Sequence, residues 1–205
     1  MKKINTITIA REYGAGGAEI AQALATHLGW QLLDRELIDE VARRAHVPSS
    51  KLSEMDEHPS SFVERLLKVF WLSDAGNWPG AAPRLVDEDY LAELSGVVIR
   101  EAANLGQCVI VGRGAQCALR QRQDVFHVFV YASRGERLKR IEKRHPTRED
   151  CEIALDDFDR ARAAYLLRHY NCDWADRQLY GLMINSDVGI DRAANTILMA
   201  AGLRR

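Results

Sequence analysis

The stretch Ile7-Thr8-Ile9-Ala10-Arg11-Glu12-Tyr13-Gly14-Ala15-Gly16-Gly17-Ala18-Glu19-Ile20-Ala21 constrains the fold more than any other part of the chain. A β-branched run ends in a turn with three glycines in four residues, and an Ala/Leu-rich pattern follows at once, with Ile20, Leu24 and Leu28 on one helical face. That order of strand, glycine loop and helix turns backbone N–H groups inward, because glycine accepts positive φ, and sets them at the positive end of a helix dipole. Such a cradle holds anions, phosphate above all. A strict Walker A loop requires G-x-x-x-x-G-K-[ST], and this one departs from it. With Gly14-Ala15-Gly16 on the glycines before the usual lysine, Gly17 stands in the lysine's place, Glu19 near the usual hydroxyl, and Arg11 at the first glycine. A tight strand-to-helix turn without a ligand is the other reading of the same residues.

The alternation continues along the chain. Residues 30–34 predict a second, short strand, and Leu37, Ile38, Val41 and Ala42 mark the buried side of the helix after it. Asp34 and Arg35 fall at that strand's end, where open α/β sheets gather ligands; they hold a substrate there, or Asp34 caps the helix. After a helix over 87–104, the apolar run 107–111 reads as a fully buried strand that ends in Gly112-Arg113-Gly114. Arg113 at that end is suited to fork onto a phosphate, or to pair with a carboxylate on a neighbouring helix. Residues 125–131 form the next strand, with His127 as a core residue. Ser133 caps a basic helix over 134–145 that leads through Pro146 into Asp156-Asp157-Phe158-Asp159-Arg160-Ala161-Arg162. Arg160 and Arg162, brought in on a mobile arm, would neutralise charge on a transferring phosphoryl group. Residues 180–185 close the sheet and 190–201 form the last helix. Strands alternating with helices, with crossovers of about a dozen residues or more, predict a parallel α/β sheet covered by helices on both faces.

The chain has 205 residues, 47% hydrophobic and 28% charged, with a net charge of -1, enough for one sizeable core. We read residues 1–205 as a single domain with a helical insert around 48–86 and a lid-like arm around 145–165. In the insert, a polar, turn-rich segment precedes the apolar helical pattern over 61–72, and a Gly/Pro-rich stretch carrying Trp78 follows it. This excursion is a lid, a packed element, or, through 60–80, a homodimer or partner contact. The charge balance argues against a nucleic-acid or membrane-surface partner, and no stretch is long enough to span a bilayer. The four cysteines show no C-x-x-C spacing and so suggest neither a disulfide framework nor a zinc site, which fits a cytoplasmic protein.

Four stretches together carry a resemblance: Ala10-Arg11-Glu12-Tyr13-Gly14-Ala15-Gly16-Gly17, Leu33-Asp34-Arg35-Glu36, Val109-Ile110-Val111-Gly112-Arg113-Gly114 and Leu182-Met183-Ile184-Asn185-Ser186. In this order they resemble the cytidylate kinase-like family, a branch of the nucleoside monophosphate kinases within the P-loop fold. The resemblance implies a five-stranded parallel α/β sheet with helices on both faces and a helical lid segment, and transfer of the ATP γ-phosphoryl group, with Mg2+, to a pyrimidine nucleoside monophosphate, CMP first. It places ATP and its phosphates at Arg11, Glu12, Tyr13, Gly14, Ala15, Gly16, Gly17 and Ala18, and the acceptor at Asp34, Arg35 and Arg113. Arg113 matches the arginine of a Gly-Arg-Asp turn in authentic cytidylate kinases, with Gly114 in place of the aspartate; Arg160 and Arg162 match the lid arginines. The missing lysine leaves Arg11 to restore the charge and Glu19 to ligate magnesium or complement the helix dipole. Two other readings stand beside it: a non-catalytic nucleotide-binding module with a degenerate loop, and a kinase for a non-nucleotide acceptor.

Overall fold

The computed structural model describes residues 3–45, 62, 63, 66, 88–144 and 147–203. β1 (Thr6–Arg11) leads through the glycine loop into α1 (Gly17–Leu28), and β2 (Gln31–Leu33) into α2 (Arg35–Ala45). Then come α3 (Glu88–Leu105), β3 (Cys108–Val111), the short α4 (Ala115–Ala118) and β4 (Val125–Tyr131). The chain ends with α5 (Arg134–Ile141), the long α6 (Arg148–Tyr170), β5 (Leu182–Asn185) and α7 (Ile190–Ala200).

All five strands pair in parallel in the order β2-β3-β1-β4-β5, as the alternating pattern predicts. β3 is apolar and buried along its whole length, as a parallel strand covered by helices on both faces should be. β3 shows the division: Cys108 and Ile110 join a cluster with Ile38 of α2 and Val98 and Ile99 of α3. Val109 and Val111 join the opposite cluster with Ile20 and Leu24 of α1 and Ile197 of α7. Each fully buried isoleucine or leucine there contributes about 1.5–3 kcal/mol of transfer free energy. Phe62 and Leu66 are buried in the first of these clusters. Val63 packs half-buried against the same cluster, and the rest of the predicted 48–86 insert lies outside the described residues.

His127, expected in the core, is half-buried in β4, with Nδ1 2.7 Å from the Thr8 hydroxyl. Burial pushes its pKa down to about 4. The basic helix is shorter than the predicted 134–145: α5 begins at the Ser133 cap and its α-helical turns end at Ile141. Residues 148–165 of the predicted arm make up most of α6, which starts at a Thr147/Asp150 capping box. Among the described residues, no helix is long and apolar enough to cross a membrane.

Candidate active site

β1 and β3 end side by side, and the loops that leave them form one wall of a cavity of about 620 Å³. Its glycine-loop half is built by straining the backbone where glycine permits it. Gly14 and Gly16 have φ of 75° and 76°, and Gly16 N-caps α1 with no side-chain cap bond. The first amides of α1 therefore lack intrahelical partners, as at any helix start, and lie at the positive end of its dipole.

Donors behind the loop hold its carbonyls. Arg137 Nε donates to the Tyr13 carbonyl at 2.7 Å, Arg140 Nη1 to that of Gly14 at 3.3 Å, and Ser186 Oγ to that of Ala15 at 2.6 Å. With three successive carbonyls drawn outward, the loop is set before any anion arrives. The basic run of α5 is thus not simply a solvated face, since Arg137 and Arg140, three apart on one helical side, brace the loop.

Arg11 rises from the end of β1 across Gly17. A Cβ on Gly17 would lie 2.7 Å from Arg11 Cβ and 2.8 Å from Cγ, and Arg11 Nη1 fills the space a Cβ on Gly112 would need. Any side chain at position 17, lysine included, would collide with the arginine stem. Arg11 makes no hydrogen bond or ion pair among the described residues and lines the cavity. Burial, and next the nearby Arg162 charge, push its pKa down to about 10, while Glu36 and Asp34 act in the opposite direction. Arg162 reaches the cavity from α6, with its guanidinium carbon 5.6 Å from the centre of the Tyr13 ring. Burial lowers its pKa too, against the pull of Asp159.

The other predicted residues divide. Arg160 does not belong to the site. It points away from the cavity, 76% exposed, and pairs with Asp157 at 3.1 Å. Two residues along a helix turn the side chain by about 200°, so only one of Arg160 and Arg162 can face the loop. The Glu12 carboxylate accepts from Ala132 N–H at 3.2 Å and lies 3.3 Å from Arg137, so it anchors the loop from behind. Tyr13 stacks on Phe158 at 4.3 Å between ring centres. Ala18 and Glu19 are exposed at the start of α1 and line the cavity.

Asp34 caps α2, accepting from Leu37 N–H at 2.9 Å, and still borders the cavity. Arg35 is 62% exposed, with Nε 3.7 Å from Asp39. Arg113 takes the ion-pair alternative: it forks onto Asp39 of α2, Nε to Oδ1 at 2.7 Å and Nη2 to Oδ2 at 2.5 Å. Burial opposes its charge, and the Asp39 hydrogen bonds outweigh that and raise its pKa. Gly112, Arg113 and Gly114 all have positive φ, 78°, 53° and 71°, a turn that turns the arginine over the Tyr165 ring at 5.5 Å. The Tyr165 hydroxyl is buried without a hydrogen-bond partner among the described residues.

Sequence reasoning did not single out Asp39, Asp159, Tyr165 or Ser186, and read Arg137 and Arg140 only as part of a charge run. Two of these had a usable signal: Asp39 lies four residues after Arg35, and Ser186 ends the last resemblance stretch. Among the described residues, no group of three or more His, Cys, Asp or Glu side chains is arranged to hold a metal by itself. A divalent ion here would be held largely by substrate phosphates, as magnesium commonly is, with Glu19 as a nearby carboxylate.

The comparisons with known proteins agree with this architecture. An uncharacterized protein from Eubacterium ventriosum ATCC 27560 superposes with a TM-score of 0.71 at 23% identity, over 98% of this chain and 100% of that one. Shikimate kinase from Bacteroides thetaiotaomicron follows at 0.53 and 17% identity, over 97% and 98% of the two chains. Shikimate kinase from Acinetobacter baumannii, in complex with shikimate, gives 0.52 and 19% identity, over 96% and 92%. At these identities the likeness is one of fold, the P-loop kinase α/β fold. No curated protein matches the chain. The model of the cytidylate kinase-like family matches residues 6–188, nearly the whole of the sheet and its loops, and the chain belongs to that family.

Proposed function

We propose that the protein is a phosphotransferase that moves the γ-phosphoryl group of Mg-ATP to an acceptor bound at the Arg113 end of the cavity, with CMP as the first acceptor to test. The observation that carries the reading is the meeting of Arg11 and Arg162. Two part-buried guanidinium groups face one cavity beside a preset glycine loop, and the charge of Arg162 lowers the pKa of Arg11. A polyphosphate placed between them relieves that repulsion, and in a poorly screened site the effect is large.

The loop amides and the start of α1 receive the β- and γ-phosphates, and Arg11 takes the place of the absent lysine. Glu19 is a carboxylate that would help hold the metal, which would withdraw charge from the phosphate oxygens. The acceptor oxygen attacks phosphorus in line, forming the new O–P bond as the bond to the β-phosphate oxygen breaks, and ADP leaves. Arg11 and Arg162 offset the charge that develops on the equatorial and leaving oxygens. No covalent enzyme intermediate is required.

A second reading, a hydroxyl-bearing acceptor that is not a nucleotide, is favoured by one observation. Arg113 is already paired with Asp39, and Asp34, Glu36 and Glu88 border the same cavity. A hydroxyl nucleophile needs a proton acceptor, which a second monophosphate does not, and Asp34 has one oxygen outside its cap. The test is to incubate the protein with Mg-ATP and CMP, dCMP, UMP, AMP or polyhydroxylated acids, and to follow ADP and phosphorylated product together. Matched ADP and CDP, with Arg113→Ala weakening CMP far more than ATP, is the expected result. Product only with a hydroxy acid selects the second reading. ATP bound but never converted points to a nucleotide-binding module.

A further inference from the structure

The Tyr13 peptide is held from both sides by residues that the reaction described above does not use. Its N–H donates to Asp159 Oδ1 at 2.7 Å, and its carbonyl accepts from Arg137 Nε at 2.7 Å. Arg137 also donates to Asp159 Oδ2, and its Nη1 lies 3.3 Å from Glu12. Asp159 Oδ1 has a further partner, Arg162 Nη1, at 3.2 Å. Arg137 is 9% and Asp159 18% exposed, so these contacts are poorly screened and directional. Phe158, next in the chain, stacks on Tyr13, which places a second kind of contact at the same junction.

The connectivity matters more than the count of bonds. Asp159 shares one negative charge between two guanidinium groups, so it orients Arg162 without neutralising it. Arg137, whose planar fork serves the Tyr13 carbonyl, Asp159 and Glu12 at once, fixes where Asp159 stands. We propose that Arg137 and Asp159 are a positioning pair that docks α6 onto the glycine loop and sets Arg162 at the cavity before nucleotide arrives. The centre of α6 is then a standing wall of the donor site and not a lid that swings in with substrate. This placement rests on the reading of Arg162 as a phosphate-facing residue, while the docking itself does not.

Two measurements on the full chain separate these parts. Hydrogen exchange of the nucleotide-free protein reads the docking. Peptides covering 12–18 and 155–165 are expected to be protected together, and Asp159→Ala to speed exchange in both while α7 stays as in the parent. Equal, fast exchange of both segments in parent and variant would overturn the pre-docked wall. Calorimetric titration with Mg-ATP, set against adenosine, reads the positioning. Asp159→Ala is expected to lose about tenfold of the phosphate-dependent affinity, the size of one charged hydrogen bond. The loss from Asp159→Ala is expected to be smaller when Arg162 is already alanine than in the parent, the remainder coming through the loosened loop. Losses that multiply would mean that Asp159 acts independently of Arg162, and would overturn the positioning role. A parent protein that is docked by exchange yet fails to bind Mg-ATP would instead sink the phosphotransferase reading. If Asp159→Ala does not fold, Asp159→Asn, which keeps an acceptor for Tyr13 N–H and loses the charge, serves in the same cycle.

Discussion

Arg11 and Gly17 act as one unit. The arginine stem lies where a side chain at 17 would stand, and its guanidinium projects into the cavity from the far end of the loop. On the proposed reading, glycine at 17 and arginine at 11 form a compensated pair, because the arginine stem occupies the space a side chain at 17 would need. Arg11→Gly alone is expected to slow ADP formation by roughly 10²–10³-fold, the usual scale for removing one charge-stabilising donor. Gly17→Lys alone is expected to fail for a different reason, overpacking against the Arg11 stem. The double variant Arg11→Gly/Gly17→Lys rebuilds the ordinary arrangement and is expected to recover at least about tenfold over Arg11→Gly in the same assay. A double variant no faster than the slower single one would mean that the two positions do not share a role. Arg160 shows the limit of reading roles from spacing. It stands two residues from Arg162 in the same charged segment, and the helix sends it to solvent.

At the scale of elements, the turn after β3 is the most demanding piece of backbone. Three consecutive residues with positive φ tip Arg113 onto Asp39 of α2, and the Tyr170 hydroxyl, at the end of α6, donates to the Arg113 carbonyl at 3.1 Å. The turn thus links the β3 end to two helices. A Cβ on Gly114 would fall 2.8 Å from Tyr170 Cδ2, and closer still to its Cε2, in addition to meeting an unfavourable φ. Gly114→Ala is accordingly expected to lose about 2–4 kcal/mol in urea unfolding, from strain and overpacking together. A loss under about 0.5 kcal/mol would show that the ring moves aside freely. The place of Arg113 between two glycines at the end of β3 was legible in the sequence. The partner of Arg113 was not, because Asp39 is 74 residues away and only the β2–β3 pairing brings its helix alongside.

For the molecule as a whole, the pH dependence of stability carries the mark of a half-buried histidine. The folded-state pKa of His127 is near 4, below the ordinary 6.5, so between those values the unfolded chain binds a proton that the folded one excludes. The contribution is fully present above about pH 6.5 and is lost as pH falls toward 4, by up to about 3 kcal/mol. His127→Gln is expected to flatten the stability profile in that window relative to the parent. Carboxylate protonation acts on both proteins, so an unchanged slope would show that His127 is solvated in the fold. By itself, the sequence determined the order of elements, the parallel sheet, its two covered faces and the glycine loop between β1 and α1. These follow from periodicities of two and 3.6 residues and from glycine placement, which are local properties. The tertiary structure alone decided which charges meet: Arg11 over Gly17, Arg113 on Asp39, and Asp159 on a Tyr13 amide 146 residues away. Coulombic and hydrogen-bonding partners are set by distance and burial, and for groups so far apart along the chain both come into being only when the sheet has assembled.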